Sequence, residues 1–486
     1  MPKLTSRLLV LSALALVAVG LFLGVAASRG HTGFPLDDGW IHQTYARNWA
    51  QTGQLAYVAG QPSAGSTAPL WTLLISIGYR LPIDPLLWTY VLGVLSLAVT
   101  AWLAYRLAAR LVPQRPAVAW ASSLIVVLDW HLIWAAASGM ETALFCALTL
   151  LVIDRVQAGA SGWSIGWWGG LLILTRPEGL ILLGLAALVV LSRSDRGGFK
   201  AVFQLLVVTA ITLSPGLWFN WLAGGTLFPN TFYAKQSEYA VLLSSVPVWL
   251  EAVGQLLIAP LAGGLFLLMP GLFYWLIRRP VLSFSRVDWP KWLPLIWIAA
   301  HTSVYALRLP VHYQHGRYLI PIIPVLAIYG ATGVARLMER RAGRWGRLLD
   351  RVWVVSIVLI VIGYVPIGAV TYALDVSIID AEMVAVAKWL DVNTPPQAVI
   401  AAHDIGAIGY FARRPLLDLA GLISPEVIPF IRDEARLFNW LQTQGAHYLV
   451  TFPGWYPQLV QRPGLLPVFA GDAAASPDHL TVYAVR

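Results

Sequence analysis

Apolar runs long enough to cross a bilayer recur along this chain, and no other feature restricts its fold as much. The first covers residues 8–27. Others lie at 86–108, 116–135, 140–156, 202–221, 246–277, 292–307, 318–335 and 352–373. A further apolar stretch, 163–191, is cut by "TRPEG" at 175–179. Proline there ends a first helix, so two short spans meet at the break. The reading is a polytopic α-helical membrane protein with about eleven transmembrane helices. "APLWTLLISIGYRL" (68–81) is too short to cross and is expected to lie in the interface or half-inserted. The first run has "GVAAS" at 24–28, which resembles a leader cleavage site, but its apolar core is long for a leader. No internal repeat or low-complexity segment is visible.

Composition agrees. The chain is 58% hydrophobic and 12% charged, with 23 tryptophans, where soluble domains run at about 45–50% and about 25%. Indoles are expected at membrane interfaces. A net charge of +9 would fit nucleic acid, but its distribution excludes that reading. With the N-terminus inside, the inner segments hold nineteen Lys and Arg, including Arg106, Arg110, Arg115 and Arg155. The outer membrane-proximal segments hold seven. This is the positive-inside bias, with anionic-lipid binding as its functional alternative. The lone Cys146 says nothing about compartment.

From about residue 380 the pattern changes. "AEMVAVAKWLDVNTPP" reads as an amphipathic helix closed by Pro395 and Pro396. "AVIAA" (398–402), "PLLDLAG" and "HYLVTF" (447–452) read as strands, and "EVIPFIRDEARLFNWLQTQG" as mainly helical. The division is a membrane domain, 1–375, with a first outer loop at 29–85, and a small α/β domain, 380–486. An odd number of spans puts that domain outside.

The first outer loop opens with "LDDGWIHQTYARNWAQTGQ". Trp40, Ile41, Tyr45 and Trp49 recur at helical spacing, which predicts an interfacial helix. Asp38 is expected near its N-cap, where a carboxylate accepts free amides. Capping needs one acid, and the adjacent Asp37 adds repulsion unless something uses it. Other polar groups fall on the same outer face: His42, Glu141, Arg176, Glu178, Asn230, Lys235, His312, His315, Arg317 and Tyr318. Ionisable groups at membrane depth commonly line a cavity. Carboxylates can take a proton from a hydroxyl, and Arg and Lys can hold phosphate. Together they suit a lipid-phosphate donor and a hydroxyl acceptor. The plainer readings are an Arg176–Glu178 ion pair at the helix break, Lys235 and Arg317 snorkelling, and Glu141 as a first-turn dipole partner. His403 and Asp404 read as a loop cap. His312 and His315 lack clear acidic or Cys partners for a metal.

The stretch "LDDGWIHQTYARNWAQTGQLAYVAGQPSAGSTAPLWTLL" resembles the first outer loop of polytopic type-C glycosyltransferases, most nearly the mycobacterial-type β-arabinofuranosyltransferase and its bacterial relatives. "SGMETALF", "TRPEG", "PNTFYAK" and "GRYLIP" resemble further motifs of that family in the same order, over residues 1–375. "HDIGAIGYF" and "LLDLAGLISPEV" resemble the outer C-terminal part of the same relatives. The resemblance implies an inverting transferase of the bacterial inner membrane. It would move a monosaccharide from a polyprenyl-phosphate donor to a glycan, glycolipid or protein acceptor on the outer face.

In that family an acid of the first loop is the general base, which maps onto Asp37 or Asp38. By position, Arg176, Lys235 and Arg317, with Glu178, Asn230 and Tyr318, are candidates for the donor phosphate and sugar. Glu141, His42 and His315 are candidates for the acceptor or for supporting contacts. "DDGW" stands where the arabinosyl relatives more often have "DDAF", so the sugar is left open. No cofactor is expected; some type-C enzymes use a divalent metal, but no separate acidic cluster here requires one. The alternatives are a lipid-linked oligosaccharide ligase or polymerase, and a lipid or sugar transporter.

Overall fold

A computed structural model describes residues 2–192, 195–239, 248–278, 289–311, 313–339, 343–474 and 476–486; His312 lies outside them. Five helices there are long and apolar enough to cross a membrane: Ser6–Ser28, Pro85–Leu111, Gly197–Gly224, Tyr313–Met338 and Gly343–Asn393. Two bent pairs bring the count to seven. Shorter apolar helices occupy Thr142–Gln157, Gly162–Thr175, Gly179–Leu191 and Trp289–Arg308.

The bends have local causes. Between Pro116–Leu128 and Trp130–Ala137 the axis turns by 50°. There the Asp129 carboxylate accepts from the amides of His131 and Leu132 at 3.1 and 3.2 Å and caps a new helix inside the span. The run read at 246–277 is not one straight helix among the described residues. Glu251–Leu261 and Gly264–Ile277 meet at 102°, where Pro260 removes an amide and Gly263 takes φ 115°. "TRPEG" separates Gly162–Thr175 from Gly179–Leu191 as the proline predicts.

Small residues bring helices together at the centre of the bundle. A Cβ on Gly333 would sit 1.9 Å from the Gly271 carbonyl oxygen, and one on Gly271 would sit 2.0 Å from that of Gly330. Without a hydrophobic force between helices in lipid, such close backbone packing is what joins them. Gly333→Leu is therefore expected to cost about 1–3 kcal/mol by overpacking. A lowered thermal midpoint in detergent checks it.

The last membrane helix does not stop at the surface. Gly343–Ile379 runs through a π turn, Asp380–Val384, into Ala385–Asn393 without a break. Glu382 in that turn is fully buried. It accepts from the amides of Ala473 (2.9 Å) and Leu480 (2.8 Å) and meets His479 Nδ1 at 2.8 Å. The helix thus carries one edge of the outer domain.

In the outer loop, β1 (Ala56–Val58) pairs antiparallel with β2 (Gln61–Pro62). The outer domain holds β3 (Ile400–Ala402), β4 (Leu416–Asp418), β5 (Tyr448–Thr451), β6 (Leu465–Ala470) and β7 (Thr481–Val485). They form one sheet in the order β4-β3-β5-β7-β6. β3 is parallel to both β4 and β5, while β7 is antiparallel to β5 and β6. Pro467 lies in β6, an edge strand, where a missing amide costs least.

The helix Asp37–Thr52 joins the two halves. Its aromatic face meets the outer domain, not lipid. Trp40 lies 5.0 Å from Tyr410 and 4.8 Å from Phe411. Arg47 donates to the Tyr410 carbonyl at 2.8 Å.

Candidate active site

Asp37 and Asp38 both lie in the first turn of their helix, yet neither caps it; the N-cap is Leu36, with no side-chain bond. Asp38 lies near the N-cap as expected, but the capping bond is absent, for a reason that separates the two acids. Residues one apart on a helix point about 100° apart. Asp37 is turned toward the outer domain. Its two oxygens accept from the amides of Gly406 (2.6 Å) and Ala407 (2.7 Å), so it caps another helical turn 369 residues away. A Cβ on residue 406 would collide with the Asp37 carbonyl at 2.1 Å, so only glycine admits this approach.

Asp38 turns toward the membrane domain and takes Arg317 Nη1 at 2.6 Å. The two environments push the acids apart. Burial raises Asp37 to about 6 against the pull of the Ala407 and Gly406 amides, and the charge of Asp38 adds to the rise. For Asp38 burial works in the same direction, but the charges of Arg317 and Lys235 outweigh it and hold the carboxyl below its usual range. Of the pair, Asp38 is the more firmly ionised and the one in a partly open position.

Around Asp38 the remaining groups form one chain of contacts. Arg317 is buried, 7% exposed, and its Nε has no partner. Its Nη2 donates to the Tyr318 hydroxyl at 3.1 Å, and Lys235 donates to the same oxygen at 3.1 Å. Tyr305 stacks on Tyr318 with ring centroids 5.1 Å apart and donates to Glu178. Arg176 lies 3.7 Å from Glu178 and 3.5 Å from Glu141, which faces His42 Nε2 at 3.2 Å. Motifs spread from residue 38 to 318 thus converge on one cluster of contacts. Arg317 reaches it through an unusual turn: Gln314, His315 and Gly316 all have left-handed φ (54°, 59° and 66°). Such strain persists where the surroundings hold it. His315 supplies part of that hold, with its Nε2 2.8 Å from Asp375 on the last membrane helix.

Two expected contributors stand apart. His315 is held by Asp375 between the rings of Trp130 and Trp134. Asn230 donates to the Leu422 carbonyl at 3.2 Å, and its own amide donates to Ala64 at 2.8 Å, which ties the 227–239 segment to both outer regions. Among the described residues no three His, Cys, Asp or Glu side chains converge as metal ligands would.

Two participants went unread in the sequence. Tyr305 links Arg176, Glu178 and Tyr318. His301 holds the Tyr318 carbonyl at 3.0 Å through Nε2. Their spacing of four within "HTSVY" puts them on one helix face, and two polar rings on one face of an apolar run were a usable signal.

The whole chain is similar to solved structures. The crystal structure of ArnT from Cupriavidus metallidurans bound to undecaprenyl phosphate matches with 18% identity and a TM-score of 0.61, over 99% of this chain and 98% of that one. The apo state of ArnT matches with 15% identity and a TM-score of 0.55, over the same shares. The apo oligosaccharyltransferase of Archaeoglobus fulgidus matches with 13% identity and a TM-score of 0.54, over 92% of this chain and 69% of that one. These neighbours are type-C glycosyltransferases, and the fold of this chain is theirs, a multi-pass membrane protein with a small C-terminal sheet domain. A family model described as a domain of unknown function (DUF8728) matches residues 377–483. No curated protein matches the sequence.

Proposed function

We propose that the protein is an inverting glycosyltransferase that moves a monosaccharide from a polyprenyl-phosphate donor to a hydroxyl of an envelope glycan, glycolipid or protein. Its membrane domain, residues 1–375, carries the chemistry at the outer face of the inner membrane. The domain at 380–486 stands outside and the N-terminus inside. The observation that carries this reading is the pairing of an ionised acid, Asp38, with buried Arg317 beside Lys235 and Tyr318. An acid and two cations meeting at one point offer a base on one side and a phosphate clamp on the other. The fold likeness to ArnT, whose structure contains undecaprenyl phosphate, supports the donor class.

The chemistry follows from the charges. A donor phosphate entering the pocket competes with Asp38 for Arg317 and gains Lys235 as well. Guanidinium and phosphate match in shape and form paired hydrogen bonds. As Arg317 turns to the phosphate, Asp38 loses its partner and becomes a stronger base. The acceptor hydroxyl then attacks the anomeric carbon and gives its proton to Asp38, while the bond from that carbon to the phosphate oxygen breaks. The leaving polyprenyl phosphate departs with that electron pair, and Arg317 and Lys235 balance its added charge. Attack opposite the phosphate inverts the centre. Arg176, held by Glu141 and Glu178, supports Tyr318 from beneath, 5.6 Å from its ring.

A charge-assisted hydrogen bond contributes about 1.5–3 kcal/mol. Arg317→Ala and Lys235→Ala are each expected to weaken undecaprenyl phosphate binding by about 10–100-fold. Native mass spectrometry of the purified protein measures this, with undecaprenyl diphosphate as a competitor. Unchanged affinity in both variants would remove the phosphate clamp. Stronger competition by the diphosphate would favour an oligosaccharide-ligase reading.

A further inference from the structure

Beyond Lys235 lies a second polar cluster, and the C-terminal domain builds most of it. Glu238 lies one helical turn beyond Lys235 on the helix Asn230–Tyr239, so the same helix that faces the donor phosphate continues to a carboxylate. The Glu238 carboxylate lies 3.8 Å from His403 Nε2. His403 is fixed from its other nitrogen, with Nδ1 2.7 Å from the Tyr456 hydroxyl. The ring of Trp455 meets His403 edge-on at 4.9 Å and Phe452 at 5.0 Å, yet it remains 49% exposed. An indole backed by two rings and still half exposed presents an apolar plate to the surroundings.

A cleft of about 690 Å³ lies beside this cluster. Ser237, the residue before Glu238, lines it with Ile428, Phe430, Ile431, Arg432 and Arg436, a mixed apolar and charged wall. Arg432 donates to the Glu238 carbonyl, which fixes this wall of the cleft to the helix Asn230–Tyr239. Asp404 is the next residue after His403. Burial raises its carboxyl well above the ordinary value, and the charges of Asp37, Asp38 and Glu238 add to the rise.

Aromatic plates pack against the C–H face of a pyranose ring, while carboxylates, amides and guanidinium groups bond its hydroxyls from the side. A lipid would want a continuous apolar wall, which this mixed lining does not give. A peptide would find no free strand edge among these residues. We infer that the surface formed by Trp455, His403 and Glu238, beside this cleft, is an acceptor subsite for a neutral, hydroxyl-rich glycan delivered toward Asp38. Acidic sugars are disfavoured by the Glu238 carboxylate at 3.8 Å from His403. This inference rests on the transferase reading, but it concerns the acceptor and can fail alone.

The test uses the full-length protein in detergent and saturation-transfer NMR with neutral maltotriose and mannotriose, and with acidic trigalacturonate as a control. Wild type is expected to transfer saturation to ring protons of at least one neutral trisaccharide. Trp455→Ala should reduce that signal at least fivefold, and Trp455→Phe should restore most of it. Trp455 is half exposed, so its replacement leaves the fold in place. Undecaprenyl phosphate binding, followed separately by native mass spectrometry, should be the same in all three proteins. A wild type without signal, a signal unchanged by Trp455→Ala, or a stronger signal from trigalacturonate would each overturn the subsite. Failure of undecaprenyl phosphate binding with an intact glycan signal would overturn the donor reading and leave the glycan site standing.

Discussion

Asp38→Asn is expected to lower sugar transfer by about 10²–10⁴-fold, the usual contribution of a positioned base. The substitution keeps shape and an oxygen able to accept from Arg317, but it removes the site for the proton. Donor binding should survive and even strengthen, because the carboxylate no longer competes with phosphate for Arg317 across the 2.6 Å contact. The measurement is single-turnover transfer from a polyprenyl-phosphate sugar, with donor affinity determined on the same preparation. Wild-type rates in a folded variant would rule out Asp38 as the base. A variant that fails to bind donor would instead point to a structural role for the pair.

Asp37→Ala should have an equally large effect of another kind. Each bond from a charged group contributes about 1.5–3 kcal/mol, and two are lost together while the Gly406 and Ala407 amides stay buried without partners. Docking of the outer domain is expected to weaken by about 3–5 kcal/mol. Hydrogen exchange reads it directly: residues 406–412 should lose protection by roughly 10²–10³-fold, while the helix Ile323–Met338 is unchanged. Asp37→Asn keeps one accepting oxygen and should fall between. Transfer should drop in step with undocking, since His403 and Asp404 leave with the outer domain. Equal protection in all three proteins would show that the aromatic contacts of Trp40 alone hold the interface.

The membrane architecture was legible because its signals are local. Apolar length and the proline in "TRPEG" can each be read within twenty residues. Arg317, Lys235, Arg176, Glu178 and Tyr318 were legible as a set because ionisable groups in apolar surroundings are rare enough to notice. The separate work of Asp37 and Asp38 was not. It depends on partners 369 and 279 residues away, and no spacing within "LDDGW" encodes them. β6 and β7 were missed for a physical reason as well. β6 is an edge strand that carries Pro467 and is largely exposed, so it lacks the buried alternation that marks a strand. The span at 246–277 misled because hydropathy measures length and not direction. Gly263, which turns the chain there, reads in sequence as one more small residue among many.

The unbroken helix Gly343–Asn393 has a mechanical meaning. A rod shared by two bodies leaves no pivot between them, so the outer domain cannot swing like a lid on a flexible strap. With Glu382 gripping the 473–480 loop and Asp37 gripping the 406 turn, it is pinned at two points, as a rudder is to its stock. The short helix Asn230–Tyr239 is bound to the same frame, by Asn230 to the Leu422 carbonyl and by Arg432 to the Glu238 carbonyl. Lys235 and Glu238 are therefore held at a set separation, like two marks on one ruler.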